Sequence, residues 1–477
     1  MIDKSEIMDF SREFGLVANV IEKDYVLGWV LAGIFNHSEV GSSWVFKGGT
    51  CLKKCYFETY RFSEDLDFTL PESSNLNRKF LIKCFEEISE WVYDASGIEI
   101  PKDLIRFDVY ENNRGGRSAQ GRIGYRGPMQ PGGDLPRIKM DLTLDEILVL
   151  DPAIRDVHHP YSDCPDDGIQ SKCYCFEEVF AEKIRALSER KRPRDLYDVV
   201  HLYRYYEIKS NQNIILSTLE KKCEFKDMFV PTMETFRSRS EREELEAEWD
   251  NMLAHQLPAL PPFEQFWAEL PEVMEWLNGA VVKVEKEAIS SEGEIIDETW
   301  RPPSMAHAWH TEVPLEKIRF AAANRLCVKL YYNNEYRLIE PYALRKTPAG
   351  NILLFALRHD SGEIRNYRID RIQGAAVTNE TFIPRYTIEL TPSSPISAPR
   401  LTRTSSGFPS SRPSKKRPTV RRSTTRKPSL GPKHVFQCTV CGKQFTRKKY
   451  NGILKSHKNK QGYPCHGRTG IFVKTKY

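Results

Sequence analysis

Acidic residues are missing from the last part of this chain. From Thr391 to Tyr477 there are 21 Lys and Arg and no Asp or Glu. The residues before them hold 49 basic side chains against all 65 acidic ones, a balance of −16 that the overall charge of +5 conceals. Only the tail is therefore an obvious binder of polyanions, unless it folds back on the acidic body. Long apolar runs are missing too. No uninterrupted stretch approaches the ~20 residues that a membrane helix needs, and no basic-then-apolar leader opens the chain. Cysteine is sparse, 11 in 477 residues. That excludes a disulfide framework and fits reduced thiols in a cytoplasmic protein without a membrane partner. A chain of this length exceeds one hydrophobic core and predicts two or three domains.

The densest chemistry lies in FKGGTCLKKCYFETYRFSEDLDF, from Phe46 to Phe68. Trp44-Val45-Phe46 reads as a short strand running into Lys47-Gly48-Gly49-Thr50. Gly48 and Gly49 permit a close backbone approach that side chains would block. Thr50 is placed to cap a short basic helix whose N–H groups favour an anion. Lys47, Lys53 and Lys54 surround that point with positive charge. Alone, such a turn is unspecific. Its neighbour, Glu64-Asp65-Leu66-Asp67-Phe68, alternates as a half-buried strand does, so Asp65 and Asp67 share one face. Two carboxylates so placed repel, and a divalent cation such as Mg²⁺ relieves the repulsion. A solvated acidic edge strand is the competing reading. Arg137–Leu144 also alternates strictly and offers a third carboxylate, Asp141. If the two strands are neighbours, Asp141 joins the cluster and is placed to act as general base.

Residues 3–14 and 20–36 read as helices, Leu76–Ala95 as another and Leu104–Tyr110 as a strand. Asn112–Gly127, with Arg114, Arg117, Arg122 and Arg126, reads as a Gly/Arg-rich loop, either a phosphate-backbone contact or a hairpin tip. A long helix from Phe176 to about Arg190 turns Lys183 towards its apolar stripe, where a lysine needs an anionic partner. Pro193 suits the first turn of the next helix, on which Asp195 and Asp198 share a face. On these residues alone, Lys183 with Asp195 reads as a buried ion pair.

Taken together, these pieces resemble the AbiEii/AbiGii-type nucleotidyltransferase toxins. The matching stretches are Glu22-Lys23-Asp24-Tyr25, Lys47–Thr50, Arg61–Phe68, Ala181–Leu187 and Arg194–Asp198, in the same order and spacing, across roughly residues 1–280. The resemblance implies an α+β minimal nucleotidyltransferase fold related to DNA polymerase β, with a helical C-terminal part. It implies that Asp65 and Asp67 bind Mg²⁺, with Asp141 as third carboxylate, and that Lys47, Gly48, Gly49, Thr50 and Ser63 hold the triphosphate of an NTP. Lys183 and Asp195 would complete the active site. The implied reaction is attack of an acceptor hydroxyl on the α-phosphate. Some relatives modify the 3′ end of tRNA, and they belong to toxin–antitoxin or phage-defence pairs, which implies a cognate antitoxin.

Beyond residue 280 the expected order is a linker (281–312), a small β domain (313–390), a disordered basic linker (391–432) and a metal module (433–477). Val313–Ala323 reads as a helix, followed by strands Cys327–Tyr332, Arg337–Ile339, Ile352–Leu357 and Ile364–Ile369, with Asn333-Asn334 as a hairpin turn. This part is similar to WYL domains, small β-barrels that sense nucleic acid or nucleotides, though the Trp-Tyr-Leu signature is absent. Arg365, Arg368 and Arg371 are either phosphate contacts or surface arginines. Residues 391–432 are rich in Ser, Pro and basic residues and cannot bury enough surface to order themselves. Cys438, Cys441, His457 and Cys465 have the spacing of a tetrahedral Zn²⁺ set, with His466 as an adjacent alternative. The module looks like a C2H2-type finger, and the Lys and Arg around it point to RNA or another nucleic acid. Two other functions compete with RNA modification: nucleotidylation of a protein partner, and a non-catalytic nucleic-acid-binding regulator.

Overall fold

The computed structural model describes residues 1–111, 115–129, 133–204, 211–236, 238–279, 286–290, 295–297, 300, 315–390, 433–447, 452–455, 457–458, 464–465 and 467–476. The whole of the expected basic linker (391–432), Arg114, Lys448, Lys449, Lys460 and His466 lie outside them. The chain forms two compact units, Met1–Leu401 and Thr402–Tyr477.

The first unit is built on a mixed seven-stranded sheet. Its strands are β1 (Val45–Lys47), β2 (Asp65–Thr69), β3 (Ile105–Glu111), β4 (Arg117–Gly124), β5 (Arg137–Thr143), β6 (Ala153–Asp156) and β7 (Gln170–Cys173), in the order β3-β4-β5-β2-β1-β7-β6. β2 runs parallel to β5 with Asp67 opposite Asp141. β1 runs antiparallel to β2 with Lys47 opposite Asp67. The neighbourhood of β2 and β5, on which Asp141's place depended, is therefore present.

The expected loop at 112–127 is mostly strand β4, paired with both β3 and β5. The glycine that suggested a loop makes room for a neighbour: a Cβ on Gly121 would lie 2.5 Å from the Phe107 ring. Of its arginines, Arg117 donates to the Leu76 carbonyl (3.2 Å) and Arg126 pairs with Glu99 at 3.4 Å.

Helices pack around this sheet: α1 (Lys4–Phe14), α2 (Ala18–Asn36), α3 (Gly48–Cys51), α4 (Arg78–Ser96), α5 (Phe176–Arg190), α6 (Pro193–Arg204), α7 (Gln212–Phe225), α8 (Arg239–Leu253) and α9 (Phe263–Leu277). α2 is buried nearly all round, and its two buried carboxylates are each matched. Glu22 accepts from the Met129 N–H at 2.7 Å, and Asp24 pairs with Lys54 at 2.7 Å. α8, RSEREELEAEWDNML, is rich in charge yet buries Leu245, Trp249 and Leu253 on one stripe, as an amphipathic surface helix does.

The β domain follows α10 (Leu315–Ala323). Its strands β8 (Leu326–Tyr332), β9 (Glu335–Lys346), β10 (Ile352–Arg358), β11 (Ile364–Arg368) and β12 (Ile372–Thr381) form one antiparallel sheet in the order β11-β10-β9-β8-β12. Asn333 and Asn334, at φ 51° and 63°, make the two-residue turn that matches strand twist. β9 runs well past Ile339 because the register with β10 shifts beside Pro341, which accommodates the missing N–H. Arg365 and Arg368 pair with Glu363 (2.6 Å) and Asp370 (2.7 Å). Part of the expected linker belongs to this domain: Ala288 bridges to Thr387, and Ile289 is buried in the core.

The β domain is joined to the first sheet's helices by buried polar contacts. Tyr197 donates to Asn324 (3.0 Å), Thr59 to Glu316 (2.8 Å), and Arg325 pairs with Glu269 at 2.7 Å. A single apolar cluster continues from α2 and α5 into α10, β8 and β10.

The second unit contains β13 (Lys433–Cys438), β14 (Gln444–Arg447) and β17 (Gly470–Lys476) in a sheet of order β14-β13-β17, plus the hairpin β15 (His457–Lys458) and β16 (Pro464–Cys465). No helix occurs among its described residues, which corrects the C2H2-type expectation. Pro464 and the glycines around it disfavour helix. The His and the last Cys are instead carried on opposite strands of the hairpin.

Candidate functional site

The site is assembled where β1 ends and α3 begins. Gly48 has φ +81°, and a Cβ there would stand 2.1 Å from Asp67 Oδ2. Only glycine meets both conditions, so the turn lies directly against the metal-binding candidate. Gly49 is as tightly placed: its Cβ would be 2.6 Å from Arg61 Nη2 and 3.1 Å from Ser63 Oγ. Ser63, predicted with the glycines as a triphosphate contact, is thus beside them.

Three predicted groups have other work. Lys47, not Thr50, occupies the cap position of α3. Thr50 is wholly buried and its hydroxyl donates to the Asp65 carbonyl, pinning α3 to β2. Lys53 donates to the Glu58 carbonyl, and burial lowers its pKa to about 8. Lys54 is buried against Asp24 and the carbonyls of Asp24 (3.0 Å) and His158 (3.3 Å). The helix expected after the glycines widens into a π-helical turn, Leu52–Tyr56, in which both lysines are buried. Of the three lysines, Lys47 alone stays at the site, paired with Glu146.

Asp65, Asp67 and Asp141 share one face of β2 and β5 and are each partly buried. Among the described residues no hydrogen bond or ion pair reaches the Asp65 or Asp67 carboxylate. Burial, reinforced by Asp141 and Asp65, pushes Asp67 up to about 6 against the pull of Lys47. Burial and Asp141 likewise raise Asp65, opposed by Lys139, Lys23 and Arg194. Crowded, half-desolvated and unpaired carboxylates fit a hard divalent cation. The cluster is open. Its oxygens do not close to within 4.8 Å of one another, as the sulfur-bearing groups described below do.

A cleft of about 240 Å³ adjoins this face, lined by Lys47, Gly48 and Asp67 on one side and Lys183, Arg190 and Lys226 on the other. Lys183 is buried, 2.7 Å from Asp198 and 3.4 Å from Asp195. Its nearer partner is therefore Asp198 rather than the predicted Asp195. Asp195 takes Arg190 at 2.6 and 2.8 Å, and Arg61 fastens on Asp198 with two bonds of 2.7 Å. Burial alone would raise both carboxyls; Lys183 with Arg190 overrides it at Asp195, and Arg61 with Lys183 at Asp198, so both lie below the ordinary value. Sequence reasoning missed Glu146, Tyr174, Arg190 and Lys226 as members of the cleft. Arg61 could have been found, since it stands two residues from Ser63 in the matching motif.

In the second unit the four predicted ligands converge. Cys438, Cys441, His457 and Cys465 offer ligand atoms all within 4.8 Å of one another. Cys438 and Cys465 sulfurs are 3.8 Å apart, and Cys441 Sγ is 3.3 Å from His457 Nε2. His457 Nδ1 faces the Lys455 carbonyl at 2.9 Å, which leaves Nε2 for a metal. The backbone N–H of Cys441, with that of Val440, brings Cys438 down to about 6. A Cβ on Gly467 would lie 2.2 Å from the Cys438 sulfur. The donor set and its cradle fit tetrahedral Zn²⁺.

Comparison with known proteins agrees with this architecture. Residues 314–377 match the WYL domain. No curated protein matches the chain. Among solved structures, MenT4, a nucleotidyltransferase toxin from Mycobacterium tuberculosis H37Rv, is similar at 16% identity and a TM-score of 0.40, covering 58% of this chain and 90% of its own. That similarity is too loose to transfer the role of any residue. Residues 29–275, more than half of the chain, match the family described as nucleotidyl transferase AbiEii toxin, type IV TA system. The chain therefore belongs to the AbiEii nucleotidyltransferase toxins and is a nucleotidyltransferase of toxin–antitoxin type.

Proposed function

We propose that the protein transfers a nucleoside monophosphate from an NTP to a hydroxyl of RNA, at the 3′ end of tRNA, in an Mg²⁺-dependent reaction. One observation carries the reading: unpaired Asp65 and Asp67 stand beside Asp141, with the Gly48 backbone pressed against Asp67. Asp65 and Asp67 would hold Mg²⁺, which supplies positive charge against the transferring phosphate. The Gly48-Gly49 backbone, Lys47 and Ser63 would seat the triphosphate. Asp141 would accept the proton of the attacking hydroxyl as the new O–P bond forms, and the bond to pyrophosphate breaks. Lys183, paired with Asp198 and Asp195, faces the same cleft as Asp67 and would offset charge on the phosphates.

An RNA acceptor is supported by the wholly basic stretch from Thr391 to Tyr477. In this reading the Cys438–Cys465 module holds structural Zn²⁺ and grips the acceptor, an antitoxin restrains the enzyme, and phage defence in the cytoplasm is the setting. The test is incubation with each labelled NTP, Mg²⁺ and total RNA. Label on tRNA is expected, with none for an Asp65→Ala/Asp67→Ala variant that remains folded. Label on protein alone would replace the acceptor. No transfer by a folded, NTP-binding wild type would overturn the reading.

A further inference from the structure

A second cluster of sulfur ligands lies in the first unit. Cys51 ends α3, Cys55 lies in the π-helical turn after it, and Cys173 ends β7, opposite Phe46. All three are fully buried, and their sulfurs lie within 4.8 Å of one another. One buried cysteine is a small apolar filler, but packing asks only for volume and gives no reason for three sulfurs to converge. Two thiolates bound 2.3 Å from one tetrahedral ion would be ~3.8 Å apart, so the observed spacing needs little rearrangement to close on a metal.

The surroundings also suit a negatively charged sulfur centre. Ser171 Oγ is 3.2 Å from the Cys55 sulfur, and the Tyr56 hydroxyl 3.9 Å from that of Cys173. The Arg155 guanidinium lies over the Tyr56 ring at 4.7 Å. Its buried Nε has no hydrogen-bond partner among the described residues.

We propose that Cys51, Cys55 and Cys173 form a site for a thiophilic cation of the Zn²⁺ class, separate from both the aspartate cluster and the C-terminal set. Three S–metal bonds would form, the three thiol protons would pass to solvent, and Arg155 would offset the net charge of −1. The bound ion would tie the segment that begins at Gly48 to β7.

The test uses the full chain with Cys438→Ser and Cys441→Ser, which removes the other sulfur set, titrated with Cd²⁺ and followed by the ultraviolet thiolate–cadmium band. One equivalent is expected, with a rise in Tm of the first unit, and loss of the band on adding Cys55→Ala and Cys173→Ala. A folded protein that develops no band, or a band indifferent to those changes, overturns the site. Should the alanine variants fail to fold, X-ray absorption on the cadmium-loaded parent decides: three sulfur neighbours support the site, and an oxygen-only shell sinks it.

Discussion

Arg61 and Asp198 form a two-point ion pair in the core, each bond 2.7 Å long, although 137 residues separate them. Asp198 also holds Lys183, while Arg61 lies against Gly49. The Gly48-Gly49 turn and Lys183 are therefore registered through a single carboxylate. Asp198→Asn should cost about 3–5 kcal/mol of stability, the range for breaking a buried pair while leaving its partners charged. Lys183→Met should leave Arg61 and Asp198 paired and lower transfer roughly 10²-fold or more. Chemical denaturation and initial rates of the two variants separate the roles; a Lys183→Met enzyme of wild-type rate would contradict this one.

Gly48→Ala should be inactive. Its Cβ needs the space of Asp67 Oδ2, and its φ of +81° is strained for alanine by about 1–3 kcal/mol. A shift of Asp67 by an ångström is enough to lower turnover on the order of 10²-fold. Rates on labelled NTP, alongside Tm, check both parts.

Asp67 titrates near 6 in the fold, above its ordinary 3.8, so its ionisation favours the unfolded chain. Its cost to stability is absent below about 4, grows as pH rises to 6, and amounts to roughly 2–3 kcal/mol at pH 7. Asp67→Asn should accordingly match wild type at pH 4 and exceed it at pH 7.5. Mg²⁺ should raise the Tm of wild type more than that of the variant. Thermal melts across pH, with and without Mg²⁺, test this without any activity measurement.

Glu13 behaves alike at the junction of α1 and α10. Burial, then Glu316, raises it to about 7 against the pull of Arg319. Stability there is lost as pH rises from about 4.5 through 7, so Glu13→Gln should gain about 1–3 kcal/mol at pH 8 and nothing at pH 4. Equal gains at both pH values would contradict a titration origin.

Metal removal should unfold the second unit and only lower the Tm of the first. Among the described residues, the core of the second unit is Phe436, Cys438, Leu454 and Cys465, in which two of the metal-ligand candidates take part. With EDTA, hydrogen exchange should become fast across 433–476 while α2 and β2 stay protected, and Cys465→Ser should reproduce the effect.

Much of the first unit was legible in the chain. α4 and α5 fall where apolar periodicity puts them, and the alternation around Asp65 and Asp141 survives as β2 and β5. Less legible were β4, whose glycines are close-packing positions, and β9, which passes through Pro341 only because a register shift absorbs it. The fate of Lys53 and Lys54 was hidden as well. Their charges look like a phosphate cradle in sequence, but the π-helical turn rotates them onto Glu58 and Asp24.

Residue type, period and spacing determined that two aspartates share a strand face, that glycines precede them, and that four Cys and His could meet around a metal. These depend on backbone geometry within a few residues or on a short loop. Tertiary structure decided which distant groups complete the site: Asp141 through the β2–β5 register, Glu146 on Lys47, Asp198 between Arg61 and Lys183, and Arg155 beside Tyr56 and Cys55. Such pairings join segments up to 137 residues apart. Their partners are selected by packing and by the cost of burying an unpaired charge, which no local pattern encodes.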